Sequence, residues 1–242
     1  YVNAGANANL KPSSITIAAW IKTTATAGVI VSDYDQSGSN WRYGWFLSVN
    51  NNKAHFFVGN FTYNEFDGAT TVTDGQWHYI VGSFTPNVQN IYVDGVLDAS
   101  NTTQSSLASI SDVLMQIGVM NQDRGGYSRT NYFNGSIDDV RIYNRALSAD
   151  EVNRTYNHTA YKYRSVYGSP NNSTDADGTN LTHVYNWYMN GTPYAVLNMP
   201  FDSNISINTT GAVPDYSGNN KNRTLIGGAS SAPGRIGNAL SL

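Results

Sequence analysis

The run Trp77-His78-Tyr79-Ile80-Val81-Gly82-Ser83-Phe84, followed by Gln89-Asn90-Ile91-Tyr92-Val93-Asp94-Gly95, decides the fold class of this chain. Its β-branched and aromatic residues alternate with polar residues in the way that is typical of strands. Asp94-Gly95 is the dipeptide that a two-residue type I′ turn favours, and such a turn joins antiparallel neighbours. The run Asn50-Asn51-Asn52 marks a second tight connection between strands. The sequence therefore predicts an antiparallel β protein.

Short segments of the same kind, separated by Gly, Asn, Asp and Ser, recur between residues 15 and 143. No helical segments alternate with them, which indicates a sandwich or barrel rather than an α/β fold. The predicted strands are Ile15–Lys22, Gly28–Tyr34, Trp45–Val49, Lys53–Gly59, Thr70–Thr73, Trp77–Phe84, Gln89–Val93, Met115–Met120 and Ser136–Tyr143.

The rest of the chain carries a helix signal and then further β signals. Ser148 and Glu151 have the spacing of a capping box, which predicts a short helix to around Tyr156. Later features are a polar linker at Ser169–Gly178, a hairpin of His183–Tyr188 and Tyr194–Met199 around Asn190-Gly191, a strand at Thr224–Ile226 and an apolar end at Ala239–Leu242.

Composition excludes several classes of partner. Charged residues make up 13% of the 242 residues, against about 25% in ordinary soluble domains. The net charge of −3 comes without a cluster of Lys and Arg, so nucleic acid and anionic membranes are not expected partners. The chain contains no cysteine, which excludes disulfides and thiolate metal sites.

Four segments in order resemble the laminin-G-like, concanavalin-A-type jelly roll of extracellular lectins, adhesins and surface repeat proteins. The resemblance implies an all-β, antiparallel jelly-roll β-sandwich with one short helix, to which the sequence itself adds the small β-hairpin linker segment. The segments are Ile15–Lys22, Gly75–Val81, Ile91–Gly95 and Asn134–Ser148.

The order of the segments is rotated relative to this family. Segments like Leu197–Asp202, Asp215–Gly218 and Gly234–Leu242 normally precede the first core strand, yet here they follow the helix. A circular permutation, a boundary set by chance and one repeat excised from a tandem array would each explain the order. We expect a sandwich lacking its opening strands at 1–158, a linker and hairpin at 159–200, and opening strands at 201–242. These opening strands complete either the same sandwich or that of a neighbouring copy.

Catalysis is not expected from the residues present. A glycoside hydrolase needs two carboxylates flanking the scissile bond. The only glutamates are Glu65 and Glu151, and the second is already used in the predicted helix cap. Glu65-Phe66-Asp67 resembles the catalytic strand of laminarinase-type relatives but lacks the third acidic residue of that motif. The histidines have no zinc-binding spacing, and we expect His78 to be a hydrogen-bonded structural residue.

The resemblance implies a structural calcium ion between the opening strands and the last core strand. The matching ligands are Asp138, Asp139, Asp202 and Asp215. Adjacent residues of a regular strand point to opposite faces, so only one of Asp138 and Asp139 would face the ion. Alternatively, one of them caps a turn or pairs with Arg141 or Arg145.

Two long loops combine aromatic side chains with Asn, Asp and Arg, the mixture that binds sugars. Long loops are more often functional than short ones. The alternative is that Trp41 and Tyr43 only cover the edge of the sandwich or an interface. The candidate carbohydrate-binding residues are Asp35, Trp41, Tyr43, Asp123, Arg124 and Tyr127.

Many Asn-X-Ser/Thr sequons suggest a glycoprotein outside the cell. They are concentrated after Asn134 and lie at Asn60, Asn101, Asn134, Asn153, Asn157, Asn171, Asn172, Asn180, Asn190, Asn204, Asn208 and Asn222. Together these features favour an extracellular structural surface protein whose copies join head to tail into a filament or array. The alternative is a carbohydrate-binding adhesin or lectin module.

Overall fold

A computed structural model describes residues 1–5, 12–35, 43–60, 65–103, 105–108, 113–121, 129–160, 188–189, 192–193, 197–199, 224–225, 230–234 and 238–241. The helix is α1, Ala149–Ala160. The strands in chain order are β1 Val2–Gly5, β2 Ile15–Lys22, β3 Gly28–Asp35, β4 Tyr43–Asn50, β5 Lys53–Asn60, β6 Glu65–Thr71, β7 Trp77–Thr85, β8 Val88–Val93, β9 Val96–Asn101, β10 Met115–Ile117, β11 Met120–Asn121, β12 Arg129–Thr130, β13 Ser136–Tyr143, β14 Tyr188–Met189, β15 Thr192–Pro193, β16 Leu197–Met199, β17 Thr224–Leu225, β18 Ser230–Pro233 and β19 Asn238–Ser241.

Two large antiparallel sheets form the sandwich, which confirms the predicted fold class. In the described residues, the seven-stranded sheet has the order β17-β1-β10-β3-β4-β5-β6. The eight-stranded sheet has the order β18-β19-β13-β2-β7-β8-β9, and β16 also pairs with β13. The pairs β11-β12 and β14-β15 form two small separate ladders.

The main core lies between the large sheets and follows the alternation of the strands. In β4, Trp45 and Leu47 are buried in this core, whereas Phe46 packs on the opposite face. Gly82 lets the two sheets approach closely, because a Cβ atom there would lie 2.6 Å from Cδ2 of Phe56. Any larger residue at position 82 would push this core phenylalanine aside.

The two sequence-predicted turns are confirmed. Asn51 and Asn52 both have positive φ, 48° and 70°, and the flanking residues pair across a two-residue loop. Asp94 and Gly95 have φ values of 50° and 81°, which is the type I′ pattern.

Helix α1 covers the outer face of the eight-stranded sheet. Ser148 Oγ accepts a hydrogen bond from Glu151 N at 3.3 Å, and Glu151 Oε2 accepts one from Ser148 N at 2.9 Å, which confirms the capping box. The helix continues to Ala160, a turn beyond the prediction. Tyr156 packs against Trp20 and over Gly95, where a Cβ atom would lie 2.8 Å from its ring.

Asp98 connects the two sheets along one edge of the sandwich, where β6 and β9 are the outermost strands. Its carboxylate on β9 accepts hydrogen bonds from the backbone N–H groups of Ala69 and Thr70 on β6. The side chain thus satisfies backbone groups at the edge of the seven-stranded sheet.

The strands β16 to β19, here called the C-terminal segment, lie along the opposite edge of the sandwich. Strand β19 pairs with the first residues of β13, and β16 pairs with its later residues Val140 to Ile142. Strand β17 pairs with β1, so the segment also extends the seven-stranded sheet. All of these pairings occur within one chain. Whether a neighbouring copy makes the same pairings stays a prediction.

Three strand assignments need correction. Strand β6 begins at Glu65 rather than Thr70, because Phe66 packs on the main core while its charged neighbours face outward. The predicted strand Met115–Met120 is divided at Gly118, whose φ is +84°. The predicted hairpin around residues 190–191 is present as β14 and β15, but the bounds of its second arm were wrong. That arm is Thr192–Pro193, whereas Leu197–Met199 forms β16 and pairs with β13. The loop that was expected to contain Asp35 and Tyr43 is also shorter, because β3 continues one residue past the predicted Tyr34 to Asp35 and β4 begins at Tyr43.

Leu240 provides a direct test of the closing role of the C-terminal segment. Its side chain is fully buried in the main core, so we expect Leu240→Ala to lower the free energy of unfolding by about 2–5 kcal/mol. Leu97→Ala is the matched control, because Leu97 is 51% exposed and the same truncation should cost less than about 0.5 kcal/mol. Urea denaturation of both variants measures the difference, and equal small effects would show that the segment does not complete the core.

Candidate functional site

The outer face of the seven-stranded sheet carries a cluster of polar and aromatic side chains, here called the outer-face cluster. It consists of Phe46, His55, Glu65 and Asp67. Register brings them together, because His55 on β5 is the Cα partner of Asp67 on the edge strand β6. Glu65 precedes Asp67 by two residues and therefore lies on the same face.

His55 lies between the two carboxylates. Its Nδ1 is 2.7 Å from Asp67 Oδ1, and its Nε2 is 3.2 Å from Glu65 Oε2. The Phe46 ring stacks on the imidazole with 5.6 Å between centroids. A neutral imidazole donates from only one nitrogen, so both contacts are hydrogen bonds only when His55 is protonated. The imidazole is nearly buried, whereas the side chains of Glu65 and Asp67 are 30% and 37% exposed.

The expectation that the chain is not a glycosidase stays a prediction. In such enzymes the two carboxyl groups flank the scissile bond of the sugar. Here the imidazole of His55 fills the space between Glu65 and Asp67. The sequence indicated the two carboxylates by their spacing but not the histidine, because a partner on another strand is recognised only from the register.

The structure describes two of the six predicted carbohydrate-binding residues. Asp35 and Tyr43 are Cα partners on β3 and β4, so the sheet brings them together. Asp35 is completely buried rather than exposed in a loop, because the strand continues through it, whereas Tyr43 is half-buried. The other four, Trp41, Asp123, Arg124 and Tyr127, lie outside the described residues.

The predicted calcium ligands Asp138 and Asp139 are both buried on β13. The expectation that they point to opposite faces assumed a regular strand, which is wrong here. The pairing with β2 is shifted between Asp138 and Arg141, and Asp139 has a φ of +49°. Arg141 binds the Asp139 carboxylate through Nε at 3.0 Å and a terminal nitrogen at 2.9 Å, so the alternative pairing is present.

The calcium site itself stays a prediction. Asp202 and Asp215 lie outside the described residues, and Asp139 is engaged by Arg141. Arg145 pairs with Glu151 instead. Within the described ranges, no three His, Asp or Glu side chains are grouped so that they could hold a metal ion. We derive no function from the ion.

His78 bridges two loops at one end of β7. Its Nδ1 lies 2.8 Å from Asp94 Oδ2, and its Nε2 lies 3.1 Å from Asp74 Oδ1, as expected for a structural histidine. The hydrogen bond with Asp94 is the main reason why the pKa of His78 is raised above 6.5. The pKa of Asp74 is lowered, chiefly by a hydrogen bond from the backbone N–H of Gln76. This bridge fixes the type I′ turn under Tyr156.

The described sequons differ in their surroundings. Asn101 ends β9, and its Oδ1 accepts hydrogen bonds from both the backbone N–H and the hydroxyl of Thr103. Asn134 is exposed just before β13. Asn153 and Asn157 lie in α1, where the Asn157 amide donates to Asn153.

Asn60 ends β5 and donates to Ser106 Oγ. The remaining sequons, at Asn171, Asn172, Asn180, Asn190, Asn204, Asn208 and Asn222, lie outside the described residues.

Helix α1 has 12 residues, and the described part of the chain includes no helix that is long and apolar enough to cross a membrane.

Comparison with known proteins agrees with this architecture. A family model described as the Concanavalin A-like lectin/glucanases superfamily matches residues 1–153. The search of curated proteins found no match. The CBM40 domain of Ruminococcus gnavus IT-sialidase, solved with α2,3-sialyllactose, is 17% identical with a TM-score of 0.51 and covers 64% of this chain and 93% of its own.

A second solved structure covers more of the chain. It is a putative carbohydrate-binding protein from Bacteroides ovatus, 14% identical with a TM-score of 0.55. The match covers 88% of this chain and 51% of the Bacteroides chain, so our chain spans about half of that protein. Both likenesses are below 25% identity and show the fold alone.

The His78 bridge predicts a pH-dependent stability. The pKa of His78 is higher in the folded protein than in the unfolded chain, so its protonated form stabilises the fold. This stabilisation is fully present below pH 6.5, where His78 is protonated in both states, and it is lost as pH rises through the pKa of the folded state. We expect the difference in unfolding free energy between the native protein and His78→Gln to be largest below pH 6.5 and to shrink at higher pH. Urea denaturation across this range measures it. An imidazole that titrates below 6.5 by NMR would contradict the prediction.

Proposed function

Because the chain belongs to the laminin G-like family of the concanavalin A-like lectin/glucanases superfamily, we propose that it is an extracellular structural subunit whose copies join head to tail. One observation carries the proposal. The C-terminal segment adds strands to both sheets along the same edge of the sandwich. It lies outside the part of the chain that the family model matches.

The contacts that the C-terminal segment makes with the sandwich would also stabilise a junction between two copies. Without it, β13 would present an unpaired edge, and unpaired edges recruit strands from other chains. Leu240 and Ala239 are fully buried when the segment is docked. Burying a leucine side chain contributes about 1.5–3 kcal/mol, and each net hydrogen bond contributes about 1 kcal/mol more. The same gain is available to a segment that comes from another copy.

Composition supports a location outside the cell and a non-catalytic role. The low charged fraction, the exposed sequon at Asn134 and the half-buried one at Asn101 suit a glycosylated surface. In the outer-face cluster, the carboxylates of Glu65 and Asp67 both contact His55, which supports a structural rather than a catalytic use of this pair. We therefore assign no enzymatic activity to the chain.

A second candidate function is carbohydrate binding at the outer-face cluster. The half-exposed carboxylates of Glu65 and Asp67 can accept hydrogen bonds from sugar hydroxyls, and His55 holds them in fixed positions. The two solved structures with this fold are described as a domain with bound sialyllactose and as a putative carbohydrate-binding protein.

The structural role predicts assembly by the unmodified chain. Light scattering at rising protein concentration should show masses that grow in steps of one 26.4 kDa copy, and electron microscopy should show linear arrays. The growth arises because a heterologous contact that does not close leaves a free end for the next copy. A monodisperse monomer at every concentration would contradict this proposal.

The carbohydrate-binding role predicts a ligand that depends on the cluster. A saturable glycan-array signal should fall at least about tenfold in Glu65→Gln and Asp67→Asn, since each loses a charge-assisted hydrogen bond worth about 1.5–3 kcal/mol. Asp150→Asn is the matched control, because it makes the same charge change on the exposed first turn of α1. Binding that is equally weakened by all three variants would reflect net charge and not the cluster.

A further inference from the structure

We infer that copies of this chain join by exchanging the C-terminal segment. In the exchanged form, strands β16, β17, β18 and β19 of one copy dock on the next copy. They make there the same pairings that they make with their own chain in the closed form. This inference rests on the proposed structural function and adds to it the partner and the register of the contact.

The pairing of β13 defines the acceptor. One edge of β13 pairs with β2, which belongs to the same sandwich. Its other edge pairs only with β16 and β19 among the described residues. Ser136 and Ile137 face Ser241 and Leu240, and the later residues face Leu197 to Met199. Every pairing on the second edge of this central strand that the structure describes is thus supplied by a segment that follows helix α1.

Side-chain packing makes the segment necessary for each sandwich. Leu240 is completely buried and belongs to the same core cluster as Ile137 and Val140. An undocked segment would expose Leu240 to water and would leave the core around Ile137 and Val140 without this side chain. Each sandwich therefore needs one segment, but the contacts are identical whichever copy provides it.

The chain between the sandwich and the segment is long enough to reach a neighbour. Helix α1 ends at Ala160, and the first strand of the C-terminal segment begins at Leu197. Residues 161–187 alone could extend over at most about 90–100 Å at about 3.3–3.6 Å per residue. A domain of this size has a diameter of about 40 Å, so an adjacent copy lies within that upper limit.

Concentration then selects between closure and exchange. Closed and exchanged forms make the same contacts, so the balance depends on the concentration of copies relative to the effective concentration of the tethered segment. Crowding of copies on a surface favours exchange, whereas dilution favours closure.

Single cysteines provide the test, because the chain contains none of its own. Ser136 and Ser241 are Cα partners on β13 and β19. Partners of this kind are about 4.5–5.5 Å apart, within the range that a disulfide bridges. Ser136→Cys and Ser241→Cys proteins, made in a host without N-glycosylation because Ser136 completes a sequon, are mixed at high concentration and oxidised. Exchange predicts a covalent 1:1 heterodimer on a non-reducing gel.

The matched control uses a pair inside the segment. Ser230 and Ser241 are Cα partners on β18 and β19 and stay in the same copy during exchange. A mixture of Ser230→Cys and Ser241→Cys therefore measures random cross-linking, and we expect the test mixture to exceed it at least about tenfold. The double variant Ser136→Cys/Ser241→Cys, oxidised when dilute, should stay monomeric and should assemble again after reduction.

The outcomes separate this inference from the function on which it rests. If the native chain assembles but the test mixture gives no more heterodimer than the control, exchange is overturned while the structural function stands. If the native chain remains a monomer and no heterodimer forms, both are overturned. A heterodimer above the control level supports exchange.

Discussion

Strand β13 must be hydrogen-bonded along both edges, and the rest of the structure depends on this constraint. It lies in the middle of the eight-stranded sheet, with Ile137, Val140 and Ile142 facing the main core. Strand β2 satisfies one edge through nearly its whole length. The other edge is satisfied only piecewise within the described residues, by β19 and β16. The bulge at Asp139 lies between these two contacts, where Arg141 holds the displaced carboxylate.

The outer faces of the two sheets are used differently. The eight-stranded sheet buries Trp20 and Tyr79 under Tyr156 of α1, so this face is closed by the chain itself. The seven-stranded sheet has a smaller apolar layer around Phe46 and Phe57 and carries the half-exposed carboxylates at its edge. Recognition of a ligand on this face and assembly through the C-terminal segment would therefore use different surfaces. The two proposed functions are compatible in one molecule.

Local sequence patterns were sufficient to predict the structure where one segment determines its own conformation. Strands β2 and β13 have the predicted bounds, both turns have the predicted geometry, and Ser148 caps α1 with Glu151. Each of these depends on neighbours in sequence. The errors occur where tertiary contacts decide, as in β6, which begins early because Phe66 finds a place in the core.

In the candidate site, too, the sequence predicted what is local along one strand, and tertiary contacts decided the rest. The sequence by itself determined the all-β fold, the family likeness and the spacing that puts Glu65 and Asp67 on one face, because alternation along a strand is a local property. Only the tertiary structure placed His55 between them, buried Asp35 and paired Asp139 with Arg141 in a salt bridge. It also brought Leu240 back to Ile137. These contacts depend on strand register and on a bulge, and both are set by packing between residues that are distant in sequence.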